Sequence, residues 1–405
     1  MLTAGLLPAA CAGSETKPSV EARLLPGALA VPREEPDVRV RISPRADTRV
    51  RVRLLAGDGR MLGFTRELGL RGRRPRTARL RITSAGRRLL GRCGRTRVTL
   101  VTQPDGAPSR RTVTRTTRDP VRCGPLRWPP PVLKEPHTIA LGQGFTQLRL
   151  EPDRDYILRL PGERKLGGTF IEGGRNVVLV GGHITLPRDT ASDAERRALY
   201  FKNQTGTVHV EGVLIDGSGG GEGDAIALSA PAAVVQIQNV RIAALRGSEQ
   251  GTHGDVVQPW GGVRELRIDR LSGSSRFQGL QLPTTLGPIG SAYIRYTDLR
   301  ALPPAGRGAQ AASAGGGHML WLTPAGTCTG FPVALEQVWV SARPDRRMRN
   351  SVWPGVRDGS PCAAVEAGGE VSWPNLPVRG VVRDGAPPGG DYVPRWSVGT
   401  RYRSP

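Results

Sequence analysis

Two aspartates, Asp224 and Asp255, are the residues of this chain best suited to acid–base chemistry. Asp255 lies in the sequence THGDVVQ at residues 252–258. If the two carboxylates stand on neighbouring parallel strands, about 5 Å apart, their like charges raise the pKa of one of them. Such a pair supplies a general acid beside a general base, or it collects a Ca²⁺ ion. His253, two residues before Asp255, suits proton relay. The candidate catalytic residues are therefore His253, Asp255 and Asp224, and the only cofactor to consider is Ca²⁺.

A short phrase with alternating apolar residues recurs along residues 178–340 and predicts the elements that would hold these side chains. Successive copies start about 26 to 41 residues apart. The alternation within each copy indicates a strand with one buried face. A repeat of this length indicates stacked units that cannot bury their apolar faces alone. The copies begin at Val178, Val208, Val235, Leu266, Ala292 and Val333.

A second apolar strand precedes each copy from Val208 onwards, and stacking aligns its side chains in columns. The predicted inward ladder comprises Ile226, Val257, Leu280 and Leu320. The predicted outward column comprises Tyr200, Ala227, Gln258, Gln281 and Trp321. A corner column just before the strand comprises Arg197, Asp224, Asp255, Gln278 and His318. The two carboxylates are thus expected on adjacent turns, beside a face of amides and aromatic rings.

Two strands per turn, roughly 27 residues per turn and Gly-rich corners resemble the right-handed parallel β-helix of the pectin-lyase-like superfamily. The resemblance covers about half the chain. The predicted fold is therefore all-β, a right-handed parallel β-helix preceded by a small β-sandwich. A leucine-rich repeat needs a helix per repeat, and a propeller needs four strands per period. Corners that need left-handed or bulged backbone are predicted at Gly181, Gly182, Gly212, Gly217 and Asn239.

This resemblance implies a polysaccharide partner and, if the column is catalytic, polysaccharide lyase or glycoside hydrolase chemistry. The His-x-Asp-x-x-Gln pattern at residues 253–258 also recurs in β-helix proteins similar to such enzymes. Amides suit sugar hydroxyls, aromatic rings suit sugar rings, and a guanidinium neutralises a uronate carboxylate. Lyases of this superfamily often use Arg or Lys as the base, and no Arg here matches such a position. The predicted substrate-binding residues are Gln258, Gln278, Gln281, Trp321, Tyr200, Arg197 and His318.

The alternative is a non-catalytic cell-surface binding or structural β-helix protein. An Asp at the start of a strand often only caps a corner by accepting a backbone N–H hydrogen bond. Outward Gln and Trp side chains also occur simply as the cover of a sheet face. Titration separates the two interpretations, because a catalytic carboxylate pair titrates abnormally whereas a corner cap titrates low.

Composition predicts how the rest of the chain is organised. With 54 Gly and 35 Pro, the chain suits short strands joined by turns. Residues 37–124 alternate apolar residues with Arg, as in VRVRI at residues 38–42, and resemble the immunoglobulin-like β-sandwich modules of secreted actinobacterial proteins. The predicted organisation is an export-signal remnant and tether at 1–36, this sandwich, a Pro-rich linker at 125–136, the β-helix at 137–345 and an irregular tail or cap at 346–405.

The net charge of +23 is concentrated before the repeat region. Residues 1–134 hold 29 Lys and Arg against 10 Asp and Glu, a balance of +19. A GC-rich genome produces an excess of Arg, Ala, Gly and Pro together, and no RNA- or DNA-binding signature accompanies the charge. Nucleic acid is therefore not an expected partner, although an Arg-rich sandwich that bound it would show steep salt dependence.

The cysteines indicate an exported protein. None of the five lies in a CxxC pair, so a zinc site is not expected. Cys93 with Cys123, and Cys328 with Cys362, form two regional pairs whose spacing suits disulfides. The remaining Cys11 follows LLPAA and resembles the lipidated residue of a bacterial lipoprotein signal. We expect an extracellular or cell-surface monomer without a membrane span, and a lipid anchor at Cys11 is one option.

Overall fold

The computed structural model describes residues 19–33, 36–188, 192, 194–249, 251–303, 316–324 and 327–399. Cys11 lies outside the described residues. The chain divides into two compact units, and each is all-β. The first unit comprises residues 19–30, 36–90 and 94–117, and the second comprises residues 31–33, 91–93 and those from 118 onwards. Over the described residues, no helix is both long and apolar enough to cross a membrane.

The first unit consists of short antiparallel strands. One sheet has the order β1-β3-β7, and the other has the order β10-β9-β4-β5-β8 with β6 paired to β4. The elements are β1 (Val20–Leu24), β2 (Ala30–Val31), β3 (Arg39–Pro44), β4 (Thr48–Ala56), β5 (Met61–Phe64), β6 (Leu68–Leu70), β7 (Arg76–Arg79), β8 (Arg81–Ile82), α1 (Ser84–Leu90), β9 (Arg97–Pro104), β10 (Arg110–Arg115) and β11 (Thr117–Arg118).

Alternation of Arg with apolar residues explains these strands. In β4, Val50, Val52 and Leu54 are fully buried while the arginines between them are exposed. β1 lies in the segment predicted to be a tether. Its apolar positions Val20 and Ala22 are buried against β3, because the strand alternates Val20, Ala22 and Leu24 with two charged residues. A strand of only five residues, with two charged residues between three apolar ones, is too short to be distinguished from a polar tether by its sequence.

The second unit contains a sheet that, over the described residues, has 22 strands. The elements are α2 (Pro120–Cys123), β12 (His137–Ala140), β13 (Thr146–Leu150), β14 (Tyr156–Arg159), β15 (Lys165–Leu166), β16 (Thr169–Gly173), β17 (Val177–Val180), β18 (His183–Thr185), β19 (Arg197–Lys202), β20 (Thr207–Glu211), β21 (Leu214–Asp216), β22 (Asp224–Leu245), β23 (Asp255–Gln258), β24 (Val263–Ser275), β25 (Gln278–Gln281), β26 (Ala292–Ala301), β27 (Leu320–Trp321), β28 (Val333–Ser341), β29 (Val352–Trp353), β30 (Val365–Ala367), β31 (Glu370–Ser372), β32 (Val378–Arg379) and β33 (Val382–Asp384), with short 3₁₀ helices at Met348–Asn350 and Arg395–Ser397.

From β12 to β29 each strand pairs in parallel with a strand one turn away, a pattern consistent with a parallel β-helix, whereas β31 pairs antiparallel with β30 and β33. One stack runs through β14, β17, β20, β22, β24, β26 and β28. A second runs through β15, β18, β21 and the later parts of β22, β24, β26 and β28. The third, which we name the site sheet, comprises β16, β19, residues 224–229 of β22, β23, β25, β27 and β29.

Three strands per turn, instead of the two predicted, result from a left-handed residue inside each repeated phrase. Gly212 (φ 68°) separates β20 from β21, and Asn239 (φ 50°) is the next residue of the same column. The column extends from Gly181 through Gly212, Asn239, Arg270, Tyr296 and Gln337, all with positive φ. The predicted corner Gly217 is different, because its φ is not positive and a Cβ there would lie 2.9 Å from the Cα of Leu245.

Parallel pairing continues past residue 345, into the segment predicted to be an irregular tail. β29 pairs with β27, and β32 and β33 pair with β28. Strands of two or three residues are too short to show a period in the sequence. The predicted linker is also partly fixed on the second unit, because the backbone N–H groups of Arg127 and Trp128 donate to Asp269 (2.8 Å) and Gln238 (3.1 Å).

The left-handed column gives a test of this architecture. A Cβ at Gly212 would meet no atom closer than 3.6 Å, so Gly212→Ala should cost only the backbone strain, about 1–2 kcal/mol of unfolding free energy. Asn239→Gly places glycine one turn later in the same column and should stay within about 1 kcal/mol of the wild type. Urea unfolding measures both, and equal losses would contradict a left-handed column.

Candidate functional site

The site sheet places the predicted columns in register. Tyr200 pairs with Ala227, Ala227 with Gln258, and Gln281 with Trp321. The ladder Ile226, Val257, Leu280 and Leu320 is fully buried, as an inward position requires. The column of Arg197, Asp224, Asp255, Gln278 and His318 stacks likewise, with Arg197 opposite Asp224 and Asp255 opposite Gln278.

The corner column lies on the same side of the site sheet as the outward column. The guanidinium of Arg197 lies 5.2 Å from the ring centroid of Tyr200, and the His318 and Trp321 rings are 5.2 Å apart. Two consecutive buried residues, such as Val256 and Val257, separate the columns on each turn. The chain therefore bends at the start of each strand, and both flanking side chains come to one side.

Asp224 and Asp255 are in contact on adjacent turns. The backbone N–H of Asp255 donates to Oδ1 of Asp224 at 2.9 Å. Oδ2 of Asp224 lies 3.4 Å from Nε of Arg197. Among the described residues, neither carboxylate oxygen of Asp255 has a hydrogen-bond partner, although the residue is fully buried. A buried polar group without a partner is costly, so this carboxyl is the least stabilised polar group of the site.

Burial and the neighbouring carboxylate set the protonation of the pair. Loss of hydration, followed by repulsion from Asp224, raises the pKa of Asp255 well above its usual range. Burial also raises the pKa of Asp224, and the N–H of Asp255 and the charge of Arg197 oppose this rise. The site therefore favours a single proton on the two carboxyls, and Asp255 is the residue that carries it.

His253 and Phe277 precede Asp255 and Gln278 of the corner column on adjacent turns. Their rings stack with centroids 5.0 Å apart. The charge of His253 acts on Asp224 and lowers its pKa. Ser275 links the two segments, since its hydroxyl donates to the Gly254 carbonyl at 2.7 Å and accepts from the Phe277 N–H at 2.9 Å. Asp224 is 2% exposed and Asp255 is 0% exposed.

The outward column carries amides in its middle and aromatic rings at both ends. Nε2 of Gln258 donates to Oε1 of Gln281 at 2.7 Å. At the far end, Trp321 packs 5.8 Å from Trp353, and His318 contacts both rings. Burial, with the charges of Arg346 and Arg343, lowers the pKa of His318 to about 4. His318 is therefore neutral at physiological pH and acts as an aromatic and hydrogen-bonding surface.

Three aromatic residues of this face were not predicted. Phe170 precedes Tyr200 by one turn, with ring centroids 4.8 Å apart, and Trp353 follows Trp321 by one turn. Trp260 lies 6.0 Å from Tyr200 and is 36% exposed. Phe170 and Trp353 could have been found by extending the register one turn in each direction. Trp260 follows its strand, so alternation within the strand could not locate it.

A second buried carboxylate pair shows what a fully partnered pair looks like in this fold. Burial and Asp391 raise the pKa of Asp298 to about 7. Asp298 accepts from the Ser272 hydroxyl at 2.6 Å and from the Tyr392 N–H at 2.7 Å. Asp391 accepts from Arg241 at 2.9 Å. These contacts attach the segment around residue 391 to the stacked strands, which is a structural role, whereas Asp255 has no such partners among the described residues.

The second unit also contains two disulfides and a cavity. The predicted disulfides Cys93–Cys123 and Cys328–Cys362 are both present. A cavity of about 430 Å³ is lined by Arg188, Arg246 and the loop 218–221, which ends three residues before Asp224. Over the described part of the chain, no group of three or more His, Cys, Asp or Glu side chains is placed to hold a metal ion.

Comparisons with protein-family models, with curated proteins and with solved structures found no match to this chain.

The raised pKa of Asp255 predicts how the stability of the protein depends on pH. An acid whose pKa is raised by folding keeps its proton where the unfolded chain has lost it, so stability falls as pH rises above about 4. Asp255→Asn removes this loss and should raise the melting temperature at pH 7, with the gain shrinking towards pH 4. Asp153→Asn, at an exposed position, is the matched control. A gain that is independent of pH would contradict the raised pKa.

Proposed function

We propose that the protein binds a polysaccharide along the site sheet and hydrolyses it with Asp255 as general acid and Asp224 as the partner carboxylate. The observation that carries this proposal is the Asp224–Asp255 pair, buried on adjacent turns with the pKa of Asp255 raised and its oxygens without partners among the described residues. A carboxyl that keeps its proton near neutral pH can protonate a glycosidic oxygen.

The spacing of the pair supports a particular stereochemistry. Adjacent parallel strands lie about 4.8 Å apart, and Asp255 and Asp224 are one strand apart in register. Retaining glycosidases hold their two carboxyls about 5–5.5 Å apart, whereas inverting enzymes need a wider gap for a water molecule. Asp224 then acts as the nucleophile, and Asp255 first protonates the leaving oxygen and afterwards deprotonates the attacking water.

The position of Arg197, the cation next to Asp224, favours hydrolysis over elimination. A lyase removes a proton with a base such as Arg or Lys, but Arg197 lies against Asp224 and over the Tyr200 ring. In that position the charge of Arg197 opposes the rise in the pKa of Asp224 and so favours the ionised form that a nucleophilic carboxylate requires. Lyase chemistry would instead need Arg197 to lose its proton beside a carboxylate.

The substrate class follows from the surface around the pair. Gln258 and Gln281 suit hydroxyl groups, and Tyr200, Trp260, Trp321 and Trp353 provide ring faces along the site sheet. The cavity at the loop 218–221 is lined by two arginines, Arg188 and Arg246, which suits a carboxylate substituent of the glycan. These features together favour a uronate-containing polysaccharide as the substrate.

A second candidate function is glycan binding without cleavage. The complete burial of Asp255 favours it, because a general acid must reach the glycosidic oxygen. In this version the aromatic rings and the Gln258–Gln281 pair bind the glycan, and the carboxylates only cap corners.

The remaining aspects of the proposal concern relationship and location. Stacked parallel strands with left-handed corners support a relationship with the right-handed pectin-lyase-like superfamily, of an actinobacterial type. The two disulfides support an exported protein. We propose an extracellular or cell-surface monomer, with lipidation at Cys11 as the means of attachment.

A polysaccharide panel tests the proposal. Neutral and uronate-containing glycans are incubated with the wild type, and reducing ends, unsaturated products and retention on immobilised glycan are measured. Hydrolysis of a uronate-containing chain is expected, with retained anomeric configuration by NMR. Asp255→Asn should lower the rate at least about 100-fold and leave retention unchanged, whereas Trp321→Ala should weaken retention.

Gln143→Ala, at an exposed position outside the site sheet, is the control and should change neither readout. Retention by the wild type without cleavage supports the second candidate function. Unsaturated products would contradict the hydrolytic assignment, and absence of both retention and cleavage would contradict a polysaccharide function altogether.

A further inference from the structure

The first unit carries an uneven distribution of charge that its composition alone does not explain. Its described residues include 22 Arg, no Lys and 6 Asp or Glu. A general bias towards Arg would spread the excess over both sheets. The outer faces of the two sheets differ in charge, however, and one of them is strongly basic.

The outer face of the sheet β10-β9-β4-β5-β8 is the strongly basic one. Its exposed arginines are Arg49, Arg51, Arg53, Arg81, Arg97, Arg111 and Arg115. Glu67 pairs with Arg49 at 3.4 Å and with Arg51 at 2.7 Å. Among the described residues, the other five guanidiniums have no carboxylate within ion-pair distance. Unpaired guanidiniums on one side of a sheet create a positive field that attracts polyanions.

The outer face of the sheet β1-β3-β7 is closer to neutral. Asp37 pairs there with Arg39 at 2.7 Å and with Arg79 at 2.9 Å. Arg23 and Arg41 stand opposite each other, and Glu21 lies on the same strand as Arg23. This sheet therefore provides an internal control, since it has the same composition bias but a smaller excess of positive charge.

On the basic face, strand pairing arranges arginines and apolar residues alternately in one row. The row runs Arg111, Val101, Arg53, Phe64, Arg81 across β10, β9, β4, β5 and β8. Because the row places Arg on every second strand, its guanidiniums recur at roughly 10 Å. A cavity of about 320 Å³ opens on this face, lined by Arg51, Arg53, Met61, Phe64 and Thr65.

We propose that this face binds an anionic polysaccharide with a carboxylate on alternate sugars. One pyranose unit extends a β-linked chain by about the spacing of two neighbouring strands, so alternate carboxylates match alternate strands. Each guanidinium can take a carboxylate in a bidentate pair, and the partly exposed Phe64 lies where the apolar face of an intervening ring would rest. This binding is independent of the carboxylate pair in the second unit.

The same features disfavour nucleic acid as the occupant. B-DNA carries one charge per about 1.7 Å of helix axis, which is much denser than the row. Proteins that bind single strands stack bases on several aromatic rings, whereas Phe64 is the only aromatic residue among the described residues of the first unit. A sparse anionic chain with apolar ring faces fits better.

The test compares two full-length variants with equal loss of charge. The row variant is Arg53→Gln/Arg81→Gln/Arg111→Gln. The control variant is Arg23→Gln/Arg41→Gln/Arg73→Gln, at exposed positions away from the row. Binding to hyaluronan, which has one carboxylate per disaccharide, is measured against salt, with neutral dextran and a DNA duplex as comparison ligands. Equal melting temperatures establish that both variants are folded.

We expect the wild type to bind hyaluronan more tightly than DNA and not to bind dextran. The row variant should lose affinity about tenfold or more at low salt, with a shallower salt dependence, while the control changes little. Equal losses in both variants would overturn the proposal in favour of net charge alone. Tighter, row-dependent binding of DNA would show a nucleic-acid face, and absence of hyaluronan binding would show that the row is no glycan site. The row substitutions are also introduced into Trp321→Ala, in which retention on the site sheet is weakened. A further loss of hyaluronan affinity by the same factor in that background separates the row from the site sheet, whereas no further loss would overturn the proposal.

Discussion

In-register parallel hydrogen bonding between successive turns is the constraint on which the second unit depends. Because each strand pairs with the equivalent residues one turn later, any side chain at a given position is stacked on its equivalents. Apolar residues gain from this, and the ladder from Ile226 to Leu320 is fully buried. Stacking brings charged residues equally close together. The repulsion between like charges must then be relieved by an oppositely charged partner or by protonation.

The two carboxylate pairs show both solutions. Asp391 is balanced by Arg241 and Arg300, and Asp298 accepts two hydrogen bonds, so that pair fixes a chain segment in place. Asp224 has Arg197, whereas the carboxyl oxygens of Asp255 have no hydrogen-bond partner among the described residues and its raised pKa favours retention of the proton. An apolar or amide residue at position 255 would make the protein more stable, because it would avoid the cost of burying a carboxyl. Its presence in a sheet whose outer side carries amides and aromatic rings is the physical reason for assigning function there.

Much of this arrangement could be predicted from the sequence, because parallel stacking has a simple rule. Once the period was recognised, alignment of strands placed Asp224 beside Asp255 and Gln258 beside Gln281. Asn239 could be predicted as a corner, since Asn tolerates left-handed backbone. Arg270, Tyr296 and Gln337 could not, because such residues rarely adopt positive φ and only the stacking imposes it. Burial of Asp255 was also not predictable, since the alternation within a strand does not determine the exposure of a corner residue.

The central claim is that stacking forces two carboxyls to share a site in which Asp255 holds the proton. A ¹³C NMR titration of Asp-labelled wild type and Asp224→Asn tests it most directly, with Asp255→Asn used to assign the signal. The account predicts one Asp carboxyl, absent in Asp255→Asn, that titrates well above the ordinary range. Its pKa should fall in Asp224→Asn, where the neighbouring charge is removed but the side-chain shape is kept. An Asp255 signal that titrates in the ordinary range, or one that Asp224→Asn leaves unchanged, would contradict the account.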